Sequence, residues 1–459
     1  MRKFKLLVLL VFAIVISANA QNCNCETAFA WVKQTFEEND AGFQFVIDRR
    51  GEQAYAIHNQ LIAERIKTAT NNHECAEIIT EWLHFFRTGH IGFRVLKDDR
   101  PASITSTRRF PDWERVDVDI DEFKKHLREK DFAGLQGIWL TGGSRSFGIK
   151  KADDRYVGFM LHTYGEWEKG QVRFRIYSDS VIYYLRDRSI RKFRTADLIS
   201  KNFLVFDYDF RFIFFTRDYP KYEDRFLQSL SDRQPYLERL NETTLYLRIP
   251  SFMQQFHQAI DSVLLTNKDK VTQTENLIVD LRFNSGGSDG SWQKLMSLIA
   301  TNPTRSRSVY LLSTELNNLG SGRTGATLDR MNNNLGEFVL LHSERFPIWN
   351  WGNTNEYPKQ VGIIVDRYCA SSTEAFLLMA RQSRRVKLFG HPTAGVFDFS
   401  NMNILESPCG NFNLFYATSK NVGVDQFPID GIGIQPDFFL DGIPGYKWVD
   451  FVNEVLNWR

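Results

Sequence analysis

The chain has 459 residues, enough for two or three domains. Its 57 basic and 55 acidic residues leave a net charge of only +2, so no global field draws in nucleic acid or an anionic membrane, and neither is an expected partner. No run of like charges is long enough to make a solvated tail.

The chain opens on a short basic stretch, Met1 to Lys5, then an apolar run from Leu6 to Ile16, then the small-residue triplet Ala18-Asn19-Ala20. This is the pattern of a secretory signal peptide over 1–20. The apolar run is well short of the ~20 residues that span a bilayer. The expectation is export to the periplasm or beyond, with a mature chain from about Gln21 and no stable membrane insertion. An exported chain can form disulfides, and Cys25 or Cys23 could each bridge to Cys75; Cys369 and Cys409 complete the five cysteines. Neither a CxxC pair nor an HExxH is present, so no metal is expected, nor any cofactor.

Residues 21–107 read as helical. Ala28-Phe29, Val32, Phe36 and then Ile78-Ile79, Trp82-Leu83 and Phe85-Phe86 recur at helical spacing. The region closes on Arg87-Thr-Gly-His90-Ile-Gly, where glycines break the helix around a histidine. Residues 108–238 change character. Short β-type runs such as 137–140, 146–151, 155–161 and 171–177 are split by turn signals, and aromatic runs follow at 202–210 and 211–218. A mostly antiparallel inserted β domain is expected there. From 239 to 459 strands alternate with helices. Leu245 to Ile249, Leu277 to Leu281, Val361 to Val365 and Val386 to Phe389 read as strands, with helices over Phe252 to Leu265, Trp292 to Ala300 and Thr373 to Arg384. This predicts stacked βαβ units with a largely parallel sheet, whose site lies at the carboxyl ends of the strands.

Within Arg367-Tyr-Cys369-Ala-Ser371-Ser372-Thr373-Glu374 a thiol, three hydroxyls and a carboxylate sit between a strand and a helix. A turn residue there meets the free amides and the positive end of the helix dipole, which suits a nucleophile whose intermediate carries an oxyanion. The alternative is an ordinary helix cap with Glu374 completing the first turn. Cys369, ending a buried strand, reads as inert core. A second strand runs into Asp280, Arg282 and Asn284 and then Gly286-Gly287. Paired glycines bare their backbone N–H groups, which could donate to an oxyanion or simply form a tight turn. His90 between its glycines, and Asp430 in a turn-rich stretch near the C-terminus, are weak signals alone.

Taken in order, Gly89-His90, the run 245–252, Asp280 to Gly287, Ser371 to Glu374, Gly390-His-Pro-Thr-Ala-Gly395 and Asp430 to Asp437 resemble the family of C-terminal processing peptidases, tail-specific proteases and tricorn core proteases. The resemblance covers about 240–440 and the surroundings of His90. It implies a serine peptidase with an α/β catalytic core of crotonase-like (ClpP-like) βαβ type, carrying an N-terminal helical bundle and an inserted β domain, and acting on protein or peptide substrates. Matched residue by residue, Ser371 is the nucleophile, three before Glu374. In the processing-peptidase branch a lysine follows Gly395 and acts as base; here that residue is Val396. The tricorn-like branch takes its base from a histidine in the N-terminal region, which His90 matches, and Asp430 stands where that branch often has a supporting acid. The implied oxyanion donors are the N–H groups of Ser372 and of Gly286 or Gly287, with Glu374, Asp280, Arg282 and Asn284 in support. The lysine replacement also leaves room for a non-catalytic relative that binds a peptide or a lipophile.

Overall fold

The structure, a computed structural model, describes residues 24–97, 109–142, 145–208, 211–352 and 355–458. The expected signal peptide and Cys23 lie outside the described residues. The chain divides into two units.

The first unit holds the described residues up to Lys97 together with Leu311–Val339 and Asn401–Ser419. Its helices are Cys25–Asn39, Phe43–Arg50, Glu52–Ile66 and Asn72–His84. The first and fourth start where side chains cap them: Asn24 accepts from the Thr27 amide at 2.8 Å and Asn71 from that of Glu74 at 3.0 Å. The apolar positions read at helical spacing converge, with Val32, Phe36, Ile79, Trp82 and Leu83 in one buried cluster. Of the two pairings left open, the disulfide formed is Cys25–Cys75. A strand, Gly92–Val95, then pairs antiparallel with Phe412–Asn421 in the register Phe93 opposite Leu414. A linear division at 107 does not express this arrangement, because two segments from the later part of the chain complete the unit.

The second unit contains both the β-rich region and the alternating region. The β-rich part is one nine-stranded sheet. From edge to edge it runs Ile190–Phe193, Val181–Tyr184, Val172–Ile176, Arg155–Met160, Arg145–Ala152, Gly137–Thr141, Arg211–Tyr219, Phe203–Tyr208 and Thr195–Ser200. Its pairings are antiparallel throughout. Phe147, Phe174, Phe206 and Phe215 share one buried cluster. Phe193 on one edge strand meets Phe206, beside the other edge, at 5.9 Å between rings, so the sheet curls round a phenylalanine core. Strands at 181–200 escape the sequence pattern because arginines and turns interrupt their alternation.

The alternating region forms a six-stranded sheet in the order Tyr236–Arg239, Thr244–Arg248, Asn276–Asp280, Gln360–Val365, Val386–Gly390 and Phe438–Phe439. Its first pair is antiparallel and the others parallel. Alternate residues face opposite sides, as strand geometry requires. Leu277, Val279, Val361 and Ile363 pack with the helix Ser372–Ala380. Ile278 and Ile364 pack with Trp448 and Val452 of the helix Trp448–Leu456. Both faces are thereby covered, which is why these strands read as continuous apolar runs. The four parallel strands from Thr244 to Gly390 end in the loops at 249–253, 281–288, 366–371 and 391–396.

Candidate active site

The strand Gln360–Val365 runs into Asp366, whose carboxylate accepts the Tyr368 amide at 3.0 Å and the Phe283 amide at 3.1 Å. Two strand ends are thereby tied together below the turn. Ser371 closes that turn at φ 58° and ψ −120°, a conformation that an L-residue adopts only under constraint, and the helix Ser372–Ala380 starts directly after it. Its amide is held twice, by Glu374 Oε2 at 3.0 Å and by the Val396 carbonyl at 3.0 Å. A residue in this conformation between a strand and a helix has the backbone geometry of a nucleophile elbow.

The four candidate nucleophiles separate here. Ser372 donates its hydroxyl to Asp289 at 2.6 Å and accepts from the Trp292 indole at 3.1 Å. Thr373 donates to Asn284, with its carbonyl at 2.9 Å and its side-chain oxygen at 3.0 Å. Both residues are buried. Cys369 is a free, fully buried thiol that donates to the Leu281 carbonyl at 3.1 Å, and burial pushes its pKa well up, so it is inert core. Ser371 is half-buried.

Glu374 is fully buried. Besides the Ser371 amide its carboxylate accepts the Thr393 hydroxyl at 2.5 Å and the amides of Gly395 at 2.8 Å and Val396 at 2.9 Å. Burial raises its pKa and these four donors oppose the rise. It caps the helix and also clamps the 393–396 loop against the elbow. Val396, where a lysine was expected, therefore lies next to Ser371 through its backbone.

Asp430 Oδ1 accepts the amides of Phe397 at 2.6 Å and Asp398 at 2.7 Å, while Asp398 Oδ2 accepts those of Ile429 at 2.6 Å and Asp430 at 2.8 Å. The two carboxylates latch two loops reciprocally, one of them the segment that follows Val396.

Asp280, Arg282 and Asn284 form the floor. Asp280 and Arg282 are buried and paired, Nη2 to Oδ2 at 2.6 Å, and Arg248 beside them donates to the carbonyls of Asp280 at 2.9 Å and Arg282 at 2.7 Å. The two arginines hold the Asp280 carboxyl below its usual range although burial alone would raise it. Asn284 bonds Phe252, Gly286, Ile249 and Thr373 at 3.0–3.2 Å. Gly286 and Gly287 take φ of 93° and 145°. A Cβ on Gly286 would stand 2.8 Å from the Ser372 nitrogen and one on Gly287 2.3 Å from that of Met253, so only glycine fits where this loop passes the elbow. The Gly286 amide is already bonded to Asn284 Oδ1 at 3.0 Å, which leaves Gly287 and Ser372 as the stronger candidates for oxyanion donors.

His90 belongs to the first unit. It too has a left-handed backbone, φ 50°. Arg87, buried and ion-paired with Asp40, donates to the carbonyls of Gly89 at 3.2 Å and His90 at 3.3 Å, and Asp40 also accepts the Ala417 amide at 3.1 Å. The Gly-His loop is thus held by a buried ion pair within its own unit. Sequence reasoning missed Asp40, Arg87, Asp366 and Asp398. Asp366, directly after an apolar strand as Asp280 is, carried a usable signal; the others did not. Among the described residues no group of His, Cys, Asp and Glu could hold a metal ion, and no helix is long and apolar enough to cross a membrane.

Residues 243–440 match the model of peptidase family S41. The match spans all the motifs described above except the Gly-His loop. In sequence no curated protein matches the chain. Among solved structures, mature CPAF is 10% identical over 94% of this chain and 96% of its own, with a TM-score of 0.53. A lipoprotein from Streptococcus agalactiae is 14% identical over 95% and 96%, with a TM-score of 0.41. The tricorn protease is 11% identical over 94% of this chain and 36% of its own, with a TM-score of 0.40. The first likeness concerns the fold alone.

Proposed function

We propose that the protein is an exported serine endopeptidase of the tricorn-like, histidine-using branch, built on a crotonase-like core and acting on proteins or peptides in the periplasm or outside the cell. Ser371 Oγ attacks the scissile carbonyl and His90 takes its proton; the tetrahedral intermediate collapses to an acyl-enzyme as His90 returns that proton to the leaving amine. Water, deprotonated by the same imidazole, then releases the acyl group. The amides of Gly287 and Ser372 bind the oxyanion, each worth about 3 kcal/mol at the transition state. Asp430 supports the site by holding the backbone that follows Val396.

The observation that carries this reading is the strained elbow at Ser371, flanked by hydroxyls already committed to other partners and backed by a glycine pair that no larger residue could replace. The test is labelling of the mature protein with a fluorophosphonate probe. Ser371→Ala is expected to abolish labelling and His90→Ala to slow it by about a thousandfold. Labelling that persists in Ser371→Ala removes the nucleophile; undiminished labelling in His90→Ala removes the base. Val396 favours a second reading, a non-catalytic binding protein on the same fold. That reading predicts no labelling of the wild-type protein and no hydrolysis of peptide substrates.

A further inference from the structure

The curled β sheet carries a cavity of its own, about 660 Å³, a volume ordinary for a small-molecule site. Three arginines line it, Arg145, Arg173 and Arg186, against two carboxylates, Glu166 and Asp187. Glu166 is buried and pairs with Arg186 at 3.3 Å. Asp187 accepts the amide and hydroxyl of Ser189 at 3.0 and 2.6 Å. Neither Arg145 nor Arg173 has an ion-pair partner among the described residues. The rest of the lining is apolar or aromatic: Phe147, Met160, Leu185, Tyr164 and Trp167.

Two donors in this wall are unsatisfied. Arg173 is only 8% exposed and Trp167 3%, yet Arg173 Nη1 and Trp167 Nε1 have no hydrogen-bond partner. Native proteins rarely leave such groups orphaned, and an unmet one calls for a missing acceptor. The Arg173 guanidinium is stacked 4.3 Å from the Trp167 ring and 4.7 Å from that of Tyr183, which fixes its plane. Burial lowers its pKa, Tyr183 opposes that fall, and repulsion from Arg145 and Arg186 adds to it. An uncompensated guanidinium edge beside an apolar wall suits a planar, singly charged acceptor attached to an apolar body. The two carboxylates in the lining disfavour a dianion.

We propose that this cavity binds an organic carboxylate with an aromatic or aliphatic body, its carboxylate received by Arg173 and Arg145 and its body lying on Phe147, Met160 and Trp167. Such a group has two sources, the free C-terminal end of a peptide or a small free acid. The inference is independent of the peptidase reading, because its readout is binding.

Calorimetry on the full mature chain carrying Ser371→Ala, which prevents turnover, tests it. The probes are an N-acetylated tripeptide ending in phenylalanine, the C-terminal amide of the same peptide, and phenylpropionate. The free acid is expected to bind at least about tenfold more tightly than the amide, and Arg173→Met and Arg145→Gln each to weaken it by about tenfold. Arg145 is half-buried, so Arg145→Gln keeps the test decisive if Arg173→Met fails to fold. Binding of phenylpropionate equal to that of the tripeptide supports the proposal with a small acid as ligand; binding of the tripeptide alone supports it with a chain end. Equal binding of acid and amide, no binding of either acid at millimolar concentration, or an unaltered affinity in Arg145→Gln overturns it.

Discussion

At Ser371 and Glu374 a single carboxylate decides the local geometry. Glu374 holds the Ser371 amide, the Thr393 hydroxyl and the amides of Gly395 and Val396 at once. A glutamine there is isosteric but turns one acceptor oxygen into a donor, which would face buried N–H groups. Glu374→Gln is therefore expected to lose about 3 kcal/mol in chemical denaturation and to slow probe labelling of Ser371 in protein that is still folded. A variant with wild-type stability and labelling would show that the clamp is dispensable. The strain at Ser371 and His90, both non-glycine residues at positive φ, is held in each case by a bond between the residue's backbone and a charged side chain, Glu374 for Ser371 and Arg87 for His90.

Among the elements, the N-terminal helices depend on a covalent tie. Cys25 at the start of the first helix is bonded to Cys75 in the fourth, a sequence separation of 50. Closing a loop of that length restricts the unfolded chain by about 4 kcal/mol. Cys75→Ser is expected to lower the stability of this unit by that order, read as a shift in its thermal unfolding, with little change in the second unit. The glycine pair at 286–287 works on the same scale. It lets the loop after Asn276–Asp280 lie against the helix Ser372–Ala380, and Asn284 binds the two together.

For the second unit as a whole, Asp366 sets a pH dependence. Burial raises its pKa to about 6, against about 4 in an unfolded chain. Below pH 4 the carboxyl is protonated in both states and contributes nothing. Between pH 4 and 6 the folded form keeps the proton that the unfolded form releases, so stability falls as pH rises through this window, by up to about 3 kcal/mol, and is level above it. Asp366→Asn is expected to remove that slope from stability measured between pH 4 and 7. An unchanged slope would assign the dependence elsewhere.

Strand and helix order in the alternating region was legible in the sequence, because strands covered on both faces read as unbroken apolar runs and the helices between them keep helical spacing. The motif residues were legible too, since glycines in turns and a hydroxyl at a helix start follow from local chemistry. The order of motifs along the chain pointed to Ser371 and left Cys369 as core, but the sequence was silent on what engages each of these side chains. Tertiary contacts engage Cys369 with Leu281, Ser372 with Asp289 and Trp292, and Thr373 with Asn284, and hold Ser371 at positive φ. It was likewise silent on the reciprocal latch of Asp398 and Asp430, on the Asp40–Arg87 pair behind the Gly-His loop and on the arginine-lined cavity of the β sheet. Each of these joins residues distant along the chain, and nothing local to either partner marks it. The make-up of the first unit was decided in the same way: 311–339 and 401–419 join the N-terminal helices through burial and pairing, which depend on the folded neighbours and not on position in the chain.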